Sequence, residues 1–319
     1  MPDILTLLLV VLVALLVWAA FSPFEALGWW AGWFGDRVYY EPLPPEGLVR
    51  TTKPNPDAFV VFMSGVGRVS GQTLSRREQG FLQALAETLP NTVVIDDIFP
   101  YSVNSLPLTG QPFFASLWRW ALRRKLSGRR LEGFAGMLIN ARNIFQVTMS
   151  ADKRYGPIYN QAMAHVIIHG LTRYGYHPED PRPLFLMGYS GAGQVTMGAA
   201  TYLKEWLTGP VVLISLGGIF ANDPGVLAAD HTYHLFGSQD RSHRIGAICS
   251  PGRWPIFAYS FWNQAKRLGK VEFVFMGEMG HTGKGGYLDV HSLLPDGTNY
   301  LAHTVHVVAD LIEGYTPTR

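Results

Sequence analysis

A short apolar run that ends in a serine framed by glycines constrains the fold of this chain most strongly. Residues 183–187 have the composition of a buried strand, and Gly-Tyr-Ser-Gly-Ala-Gly follows at once at 188–193. Glycines around Ser190 permit unusual backbone angles and leave room for its hydroxyl. Residues 194–206 then predict a helix whose first amides lie beside that hydroxyl. The segment therefore predicts a strand, a sharp turn at Ser190 and a helix.

Ser190 occupies the position of a nucleophile in such a turn, where helix amides can stabilise an oxyanion. The full pattern, Gly-x-Ser-x-Gly, would have glycine at position 192, where this chain has Ala192, with Gly193 one residue later. Alanine is the mildest replacement for glycine. An ordinary turn in which Ser190 only caps the helix is the competing interpretation.

Two further apolar runs end in the groups that a serine nucleophile requires. Residues 231–236 lead to Asp240, and residues 271–276 lead to His281. A histidine must take the serine proton, and a carboxylate must orient that histidine. Because each group follows the carboxyl end of a predicted strand, we expect them to meet at one edge of a parallel sheet.

Ser190, Asp240 and His281, in this chain order, make the sequence resemble the α/β-hydrolase superfamily from about residue 57 to the C-terminus. The resemblance implies Ser190 as nucleophile, Asp240 as acid and His281 as base. It also implies a mostly parallel sheet flanked by helices. Two alternatives stay open: Asp223, which follows the preceding strand, for the acid, and His291 for the base.

The resemblance also implies an oxyanion hole after the first strong strand, at residues 58–64. In the family, a glycine-containing turn at the end of this strand supplies one backbone amide, and the residue after the nucleophile supplies the other. By position the donors here are Val66, or else Gly65, and Gly191. Many members carry histidine before the first glycine of this turn, where this chain has Ser64.

Apolar runs and helical patterns alternate along the chain, which predicts an α/β fold with a mostly parallel sheet. We assign one domain to residues 38–319, with a cap-like insertion at 100–155. The predicted strands are 58–64, 92–96, 184–189, 210–216, 232–237 and 271–276. The predicted helices are 75–88, 158–174, 194–206, 258–268 and 297–312.

The first residues of the chain form a second strong feature, an uncharged run at 4–24 dominated by Leu, Val and Ala. About twenty helical residues at roughly 1.5 Å each cross a hydrocarbon core of roughly 30 Å. We therefore predict a transmembrane helix within an anchor and interfacial segment at 1–37. A cleaved signal peptide is the alternative, although no Lys or Arg precedes the run.

The predicted anchor is single-pass, and the residues beside it bear on its orientation. Trp29, Trp30 and Trp33 suit an interfacial aromatic belt, and basic residues such as Arg37 follow the span. This bias favours a cytoplasmic catalytic domain. A single cysteine, Cys249, fits a reducing compartment.

The predicted insertion is strongly basic in its middle and has apolar residues at helical spacing. A solvated cap face and a membrane-surface helix that contacts anionic lipid are both consistent with this pattern. A nucleic-acid surface is disfavoured because the net charge of the chain is only +2. The basic residues are Arg119, Arg123, Arg124, Lys125, Arg129 and Arg130.

Together these features predict a membrane-anchored serine hydrolase that cleaves acyl esters, lipid-like ones included, through an acyl-enzyme. The mechanism needs no metal or other cofactor, and no His or Cys cluster has metal-ligand spacing. Thioester or peptide cleavage would use the same residues. A non-catalytic relative that serves as a binding or assembly subunit at the membrane is the alternative from another class.

Overall fold

The computed structural model of this chain describes residues 55–71, 73–103, 105, 108, 115–126 and 132–316, together with isolated positions up to residue 53. Within these residues a single sheet of six strands is flanked by helices on both faces. Every strand pair is parallel, so the predicted α/β class is confirmed. The strands are β1 (Ala58–Met63), β2 (Thr92–Ile95), β3 (Leu184–Tyr189), β4 (Val211–Leu216), β5 (His231–Phe236) and β6 (Val271–Phe275).

The predicted strands agree with these bounds to within one residue at each end. Strands β1 to β4 are buried along their whole length, because helices cover both faces of the sheet, and this explains their unbroken apolar runs. Strand β6 lies at the edge of the sheet and is mostly exposed.

The order of strands across the sheet is β2-β1-β3-β4-β5-β6. From β1 the chain passes to β2 on one side, and all later strands are added on the other side. The carboxyl ends of β1 and β3, where Met63 pairs with Gly188, therefore border the crevice at which strand order reverses. Ligand sites of open α/β sheets form at this switch point.

Two helices cover one face of the sheet, and the remaining longer helices lie on the other. On the first face, Phe81 and Leu85 of α1 pack with Val305 and Val308 of α9. The helices of the described residues are α1 (Arg76–Thr88), α2 (Ala115–Leu126), α3 (Glu132–Ala151), α4 (Gly156–Thr172), α5 (Ala192–Trp206), α6 (Gly225–Ala228), α7 (His243–Cys249), α8 (Phe261–Arg267) and α9 (Tyr300–Glu313).

The predicted insertion contains a long helix, α3, that the sequence does not predict. Helix α3 contacts α4 and α5 and so belongs to the layer that covers the sheet. Besides the apolar Leu138, Ile139 and Met149, the buried face of α3 carries polar side chains, which weaken the helical period of apolar residues in the sequence. The buried polar residues are Arg142, Asn143, Gln146 and Ser150.

The predicted membrane anchor falls largely outside the described residues. Six residues of its run are described, and all are helical; Leu12 is half-buried, and the others, Leu5, Thr6, Leu8, Leu9 and Val13, are exposed. Among the residues that the structure describes, no helix combines the length and the apolar composition needed to span a bilayer.

Candidate active site

Ser190 lies at the turn between β3 and α5, with a backbone φ of +57°. This left-handed conformation is uncommon for a residue with a side chain, and it is the geometry of a nucleophile turn. The glycines around it permit close packing. A Cβ on Gly188 would lie 2.7 Å from the Cα of Gly193, and a Cβ on Gly193 would lie 3.0 Å from the Cα of Gly218.

The side chains of Ser190, His281 and Asp240 form a continuous line of hydrogen bonds. The Nε2 atom of His281 is 2.8 Å from the Ser190 hydroxyl, and its Nδ1 atom is 2.9 Å from Oδ2 of Asp240. The structure thus brings together the three residues that the sequence singled out. The histidine stands between the hydroxyl and the carboxylate, as proton transfer from serine requires.

Asp240 is fully buried in the turn after β5, and both of its carboxylate oxygens are occupied. The amide of Ser242 donates to Oδ1 at 2.8 Å, and the Tyr287 hydroxyl donates to Oδ2 at 2.7 Å. Burial opposes ionisation, but the hydrogen bond from His281 and these two donors outweigh it, so the pKa of this carboxyl lies below its ordinary value. The carboxylate is therefore held in its charged form beside the imidazole.

The loop that carries His281 is fixed by a second buried carboxylate, Asp289. Its Oδ2 atom accepts hydrogen bonds from the Gly285 amide at 2.8 Å and the Ser292 hydroxyl at 2.7 Å. Arg77 of α1 forms an ion pair with the other oxygen at 3.4 Å. The hydrogen bond from the Gly285 amide and these other partners lower the pKa of Asp289 to about 2.

The His281 ring also stacks on a tyrosine of β3. The ring centroids of Tyr189 and His281 are 5.7 Å apart with an interplanar angle of 28°, and the tyrosine hydroxyl donates to the backbone oxygen of His281 at 2.6 Å. The residue before the serine therefore positions the histidine. This contact limits rotation of the imidazole away from Ser190.

The turn after β1 lies directly beside the serine. A Cβ on Gly65 would lie 3.2 Å from the Cβ of Ser190, and a Cβ on Gly191 would lie 2.9 Å from a methyl carbon of Val66. Among the described residues, the amides of Val66 and Gly191 make no hydrogen bond to a protein acceptor. Two backbone donors without a protein acceptor thus belong to the turns that meet at Ser190.

Helix α3 supports this turn through Asn143, which is fully buried. Its Nδ2 atom donates to the backbone oxygens of Val66 and Arg68, each at 2.7 Å. These two hydrogen bonds hold the carbonyls of the turn on the side of α3. The sequence does not single out Asn143, because it acts on the backbone of a turn 77 residues away.

The first residue of the turn, Ser64, is held by two other elements. Its hydroxyl donates to Glu78, which caps the N-terminus of α1 together with Ser75. Its backbone oxygen accepts from the Tyr101 hydroxyl at 2.9 Å. These buried contacts hold Ser64 and the start of the turn in place.

The two alternative residues lie apart from the line of hydrogen bonds. Asp223 accepts from the Gln194 side chain and the Gly225 amide, each at 2.9 Å, and burial raises its pKa to about 6. His291 is exposed, and its amide contacts Asp289. The structure therefore joins neither Asp223 nor His291 to Ser190.

The basic residues of the insertion are described only in part. Arg119 and Arg123 lie on α2 and are exposed. The side chains of Arg124 and Lys125, and the whole of Arg129 and Arg130, lie outside the described residues. Contact of this helix with anionic lipid stays a prediction.

Within the part of the chain that the structure describes, no group of three or more His, Cys, Asp or Glu residues is placed to hold a metal ion. The residues around Ser190 supply a hydroxyl, an imidazole, a carboxylate and free backbone amides. These groups suffice chemically for nucleophilic acyl transfer. No protein-family model matches this chain, and no curated protein matches it significantly.

Proposed function

We propose that this chain is a serine hydrolase of the α/β-hydrolase type that cleaves acyl esters through an acyl-enzyme on Ser190. One observation carries the proposal: the hydrogen-bonded line from Ser190 through His281 to Asp240, beside two free amides at the switch point of the sheet. A histidine–aspartate pair that only stabilised the fold would not need to end at a serine with a strained, left-handed backbone.

In the first half-reaction, the Ser190 oxygen attacks the ester carbonyl carbon while His281 accepts the serine proton at Nε2. The negative charge that develops on the carbonyl oxygen is stabilised by the amides of Val66 and Gly191. Asp240 stabilises the imidazolium and holds its other nitrogen protonated. His281 then gives its proton to the leaving alcohol, and the acyl group remains on Ser190.

In the second half-reaction, water takes the place of the alcohol. His281 removes a proton from water, and the resulting hydroxide attacks the acyl carbon. The tetrahedral intermediate collapses when His281 returns the proton to the Ser190 oxygen. The acid product leaves, and the free hydroxyl is restored.

Hydrophobic acyl esters, lipid-like ones included, are the proposed substrates, and a membrane is the proposed location. The uncharged run at 4–24 supports this location, as do its exposed helical residues Leu5 and Leu8. Carbonate extraction of the full chain tests it, because an integral anchor stays with the membrane fraction. A mature N-terminus near residue 20 would instead identify the run as a signal peptide.

Labelling with a fluorophosphonate tests the catalytic proposal directly, because this reagent reacts with activated serines. We expect the natural protein to be labelled and Ser190→Ala to be unlabelled. Ser215→Ala is a matched control, since the Ser215 hydroxyl also lies 3.0 Å from a histidine, His234, but in a buried pair. Burial lowers the pKa of His234 to about 3.

An unlabelled natural protein would favour the non-catalytic alternative, a binding or assembly subunit. Equal labelling of Ser190→Ala would assign the nucleophile to another residue. Thermal melting of both alanine variants controls for folding. If Ser190 is labelled, a panel of acyl esters, thioesters and peptides then identifies the bond that is cleaved.

A further inference from the structure

A loop that follows α7 exposes apolar side chains over most of its length. We call residues 251–261 the docking loop. Tyr259 is 90% exposed and Ile256 is 78% exposed, values that are unusual for large apolar side chains in one short segment. The exposed large side chains of the docking loop are Trp254, Ile256, Phe257, Tyr259 and Phe261.

The buried residue Arg253 holds the start of the docking loop against the domain. Its guanidinium lies over the rings of Phe220 and Trp262, 4.1 and 4.3 Å from their centroids, and donates to the backbone oxygen of Phe220 at 3.0 Å. Residues 256–260 line a cavity of about 640 Å³ whose other walls include Ala151 and Ala221. The apolar side chains beyond Arg253 therefore do not belong to the core.

Side chains of α8 satisfy the backbone oxygens of this loop. Asn263 donates to the oxygens of Trp254 and Phe257 at 2.8 and 3.1 Å. Gln264 donates to Tyr259 at 2.6 Å, and Arg267 donates to Ala258. A loop that enters a lipid interface must have its backbone polar groups paired, because acyl chains offer no partners. Four backbone oxygens of the docking loop are thus paired by side chains and not by the hydrogen bonds of a helix or a sheet.

The stretch of chain that contains the docking loop is basic. From Arg241 to Lys270 the sequence contains no Asp or Glu. Aromatic and aliphatic side chains beside exposed cations match the interfacial region of a bilayer with anionic headgroups, which attract the cations. We call the four exposed cations the basic border: Arg241, Arg244, Lys266 and Arg267.

Non-covalent contacts and a short stretch of chain connect the docking loop to the residues around Ser190. The amide of Ile219 donates to the backbone oxygen of Ser190 at 2.9 Å, and the next residue, Phe220, packs under Arg253. On the other side, α7 begins three residues after Asp240. A bilayer on this surface would lie beside the carboxyl edge of the sheet, which holds Ser190.

We infer that the docking loop and its basic border form a membrane-docking surface that inserts into the headgroup region of anionic bilayers. This contact is additional to any attachment through residues 4–24, and it orients the carboxyl edge of the sheet toward lipid. The inference goes beyond the proposed hydrolase activity, and the test that follows does not require catalysis.

The chain has a single cysteine, Cys249, which is exposed at the end of α7, two residues before the docking loop. A nitrobenzoxadiazole probe on Cys249 of the full-length chain therefore reports on this surface. The labelled protein is incorporated into vesicles of phosphatidylcholine alone or of an equimolar mixture with phosphatidylserine. Lipids that carry a nitroxide near the headgroup quench the probe only if it enters the interface.

We expect a blue shift and strong quenching in the phosphatidylserine vesicles, weakened by high salt because salt screens the basic border. Ile256→Ser with Tyr259→Ser should abolish the quenching, since both side chains are exposed and neither supports the fold. Leu293→Ser is the matched control, because Leu293 is 60% exposed on a different loop, and we expect it to retain the quenching. Ser190→Ala should quench like the natural protein.

Three results would overturn the inference. A probe that is unquenched in both vesicles would leave the surface in water. Quenching that survives in the double serine variant would assign insertion to other residues. A blue shift in detergent that depends on protein concentration would show that a second copy of the chain covers the loop. Failure here with normal fluorophosphonate labelling would leave the proposed hydrolase function intact.

Discussion

Tyr287 donates a hydrogen bond to the same oxygen of Asp240 that faces His281. The Tyr287 hydroxyl is 2.7 Å from Oδ2 of Asp240, and the imidazole Nδ1 is 2.9 Å from that oxygen. The hydroxyl in turn accepts from the Gly237 amide at 2.9 Å. A tyrosine that no sequence motif identifies therefore shares the proposed catalytic carboxylate with the histidine.

Replacing Tyr287 with phenylalanine should lower kcat for ester hydrolysis by about tenfold, or about 1.4 kcal/mol, because one hydrogen bond to a charged acceptor is lost. Fluorophosphonate should still label Ser190, only more slowly. Steady-state kinetics and melting temperature measure the two effects separately. An unchanged kcat would mean that this hydroxyl only supports the Gly237 turn.

The proposed proton relay predicts that its members act as a unit. His281→Ala should lower turnover by roughly 10⁴- to 10⁶-fold, as Ser190→Ala should, and the double variant should lose little more. Asp240→Asn should lower turnover by roughly 10⁴-fold, because the amide favours the wrong imidazole tautomer. Comparison of kcat for the two single variants and the double variant tests this. Additive losses would contradict it.

Asn143→Asp should disturb the turn that carries the proposed oxyanion donors. The aspartate has the same size, but it presents negative oxygens to the carbonyls of Val66 and Arg68 where the amide donated. Misplacement of one oxyanion donor costs roughly 10² in kcat. We expect a loss of this order with little change in KM. Thr148→Ala, an exposed position on the same helix, is the control and should behave like the natural protein.

The contribution of Asp223 to the free energy of unfolding should fall as pH rises. Its folded-state pKa is raised from 3.8 to about 6, chiefly by burial, so the folded state binds its proton more tightly than the unfolded state. The free energy of unfolding should therefore decrease by at most about 3 kcal/mol between about pH 4 and pH 6 because of this group.

Asp223→Asn should remove that decrease. Urea unfolding in non-ionic detergent at both ends of this range measures it. As pH rises over this range, the free energy of unfolding should fall less, or rise more, in the variant than in the natural protein. Loss of a hydrogen bond in the variant is independent of pH and cancels in this comparison. Ester hydrolysis by the variant should stay within severalfold of normal, whereas a complete loss would make Asp223 the catalytic acid.

Most of the sheet and its central turn could be predicted from the sequence because their signals are local. The strands are short apolar runs that end at turn residues, since both faces are buried. The turn at Ser190 requires glycines within three residues, because the serine backbone is left-handed and α5 begins immediately after it. The residues that meet these requirements are adjacent in the sequence, so they can be recognised without the fold.

Other features depend on residues that only the tertiary structure brings together. Asp223 and Asp240 both follow strands, so the sequence leaves both as candidates for the acid. Their partners in the structure differ: Gln194 donates to Asp223, and His281 contacts Asp240. The sequence does not predict helix α3, because its buried face includes polar side chains whose partners lie in distant segments of the chain. Asn143 is one example, with its partner carbonyls on residues 66 and 68.

The sequence by itself determined the parallel sheet, the serine turn and the chain order of the candidate residues. Only the tertiary structure decided which carboxylate meets the histidine and which apolar side chains face outward. Ile256 and Tyr259 are of the same residue types as Ile167 and Tyr159, which are fully buried, yet they are 78% and 90% exposed. The apolar character of a side chain favours its burial, but only contacts between distant segments determine whether it is covered and by which residues.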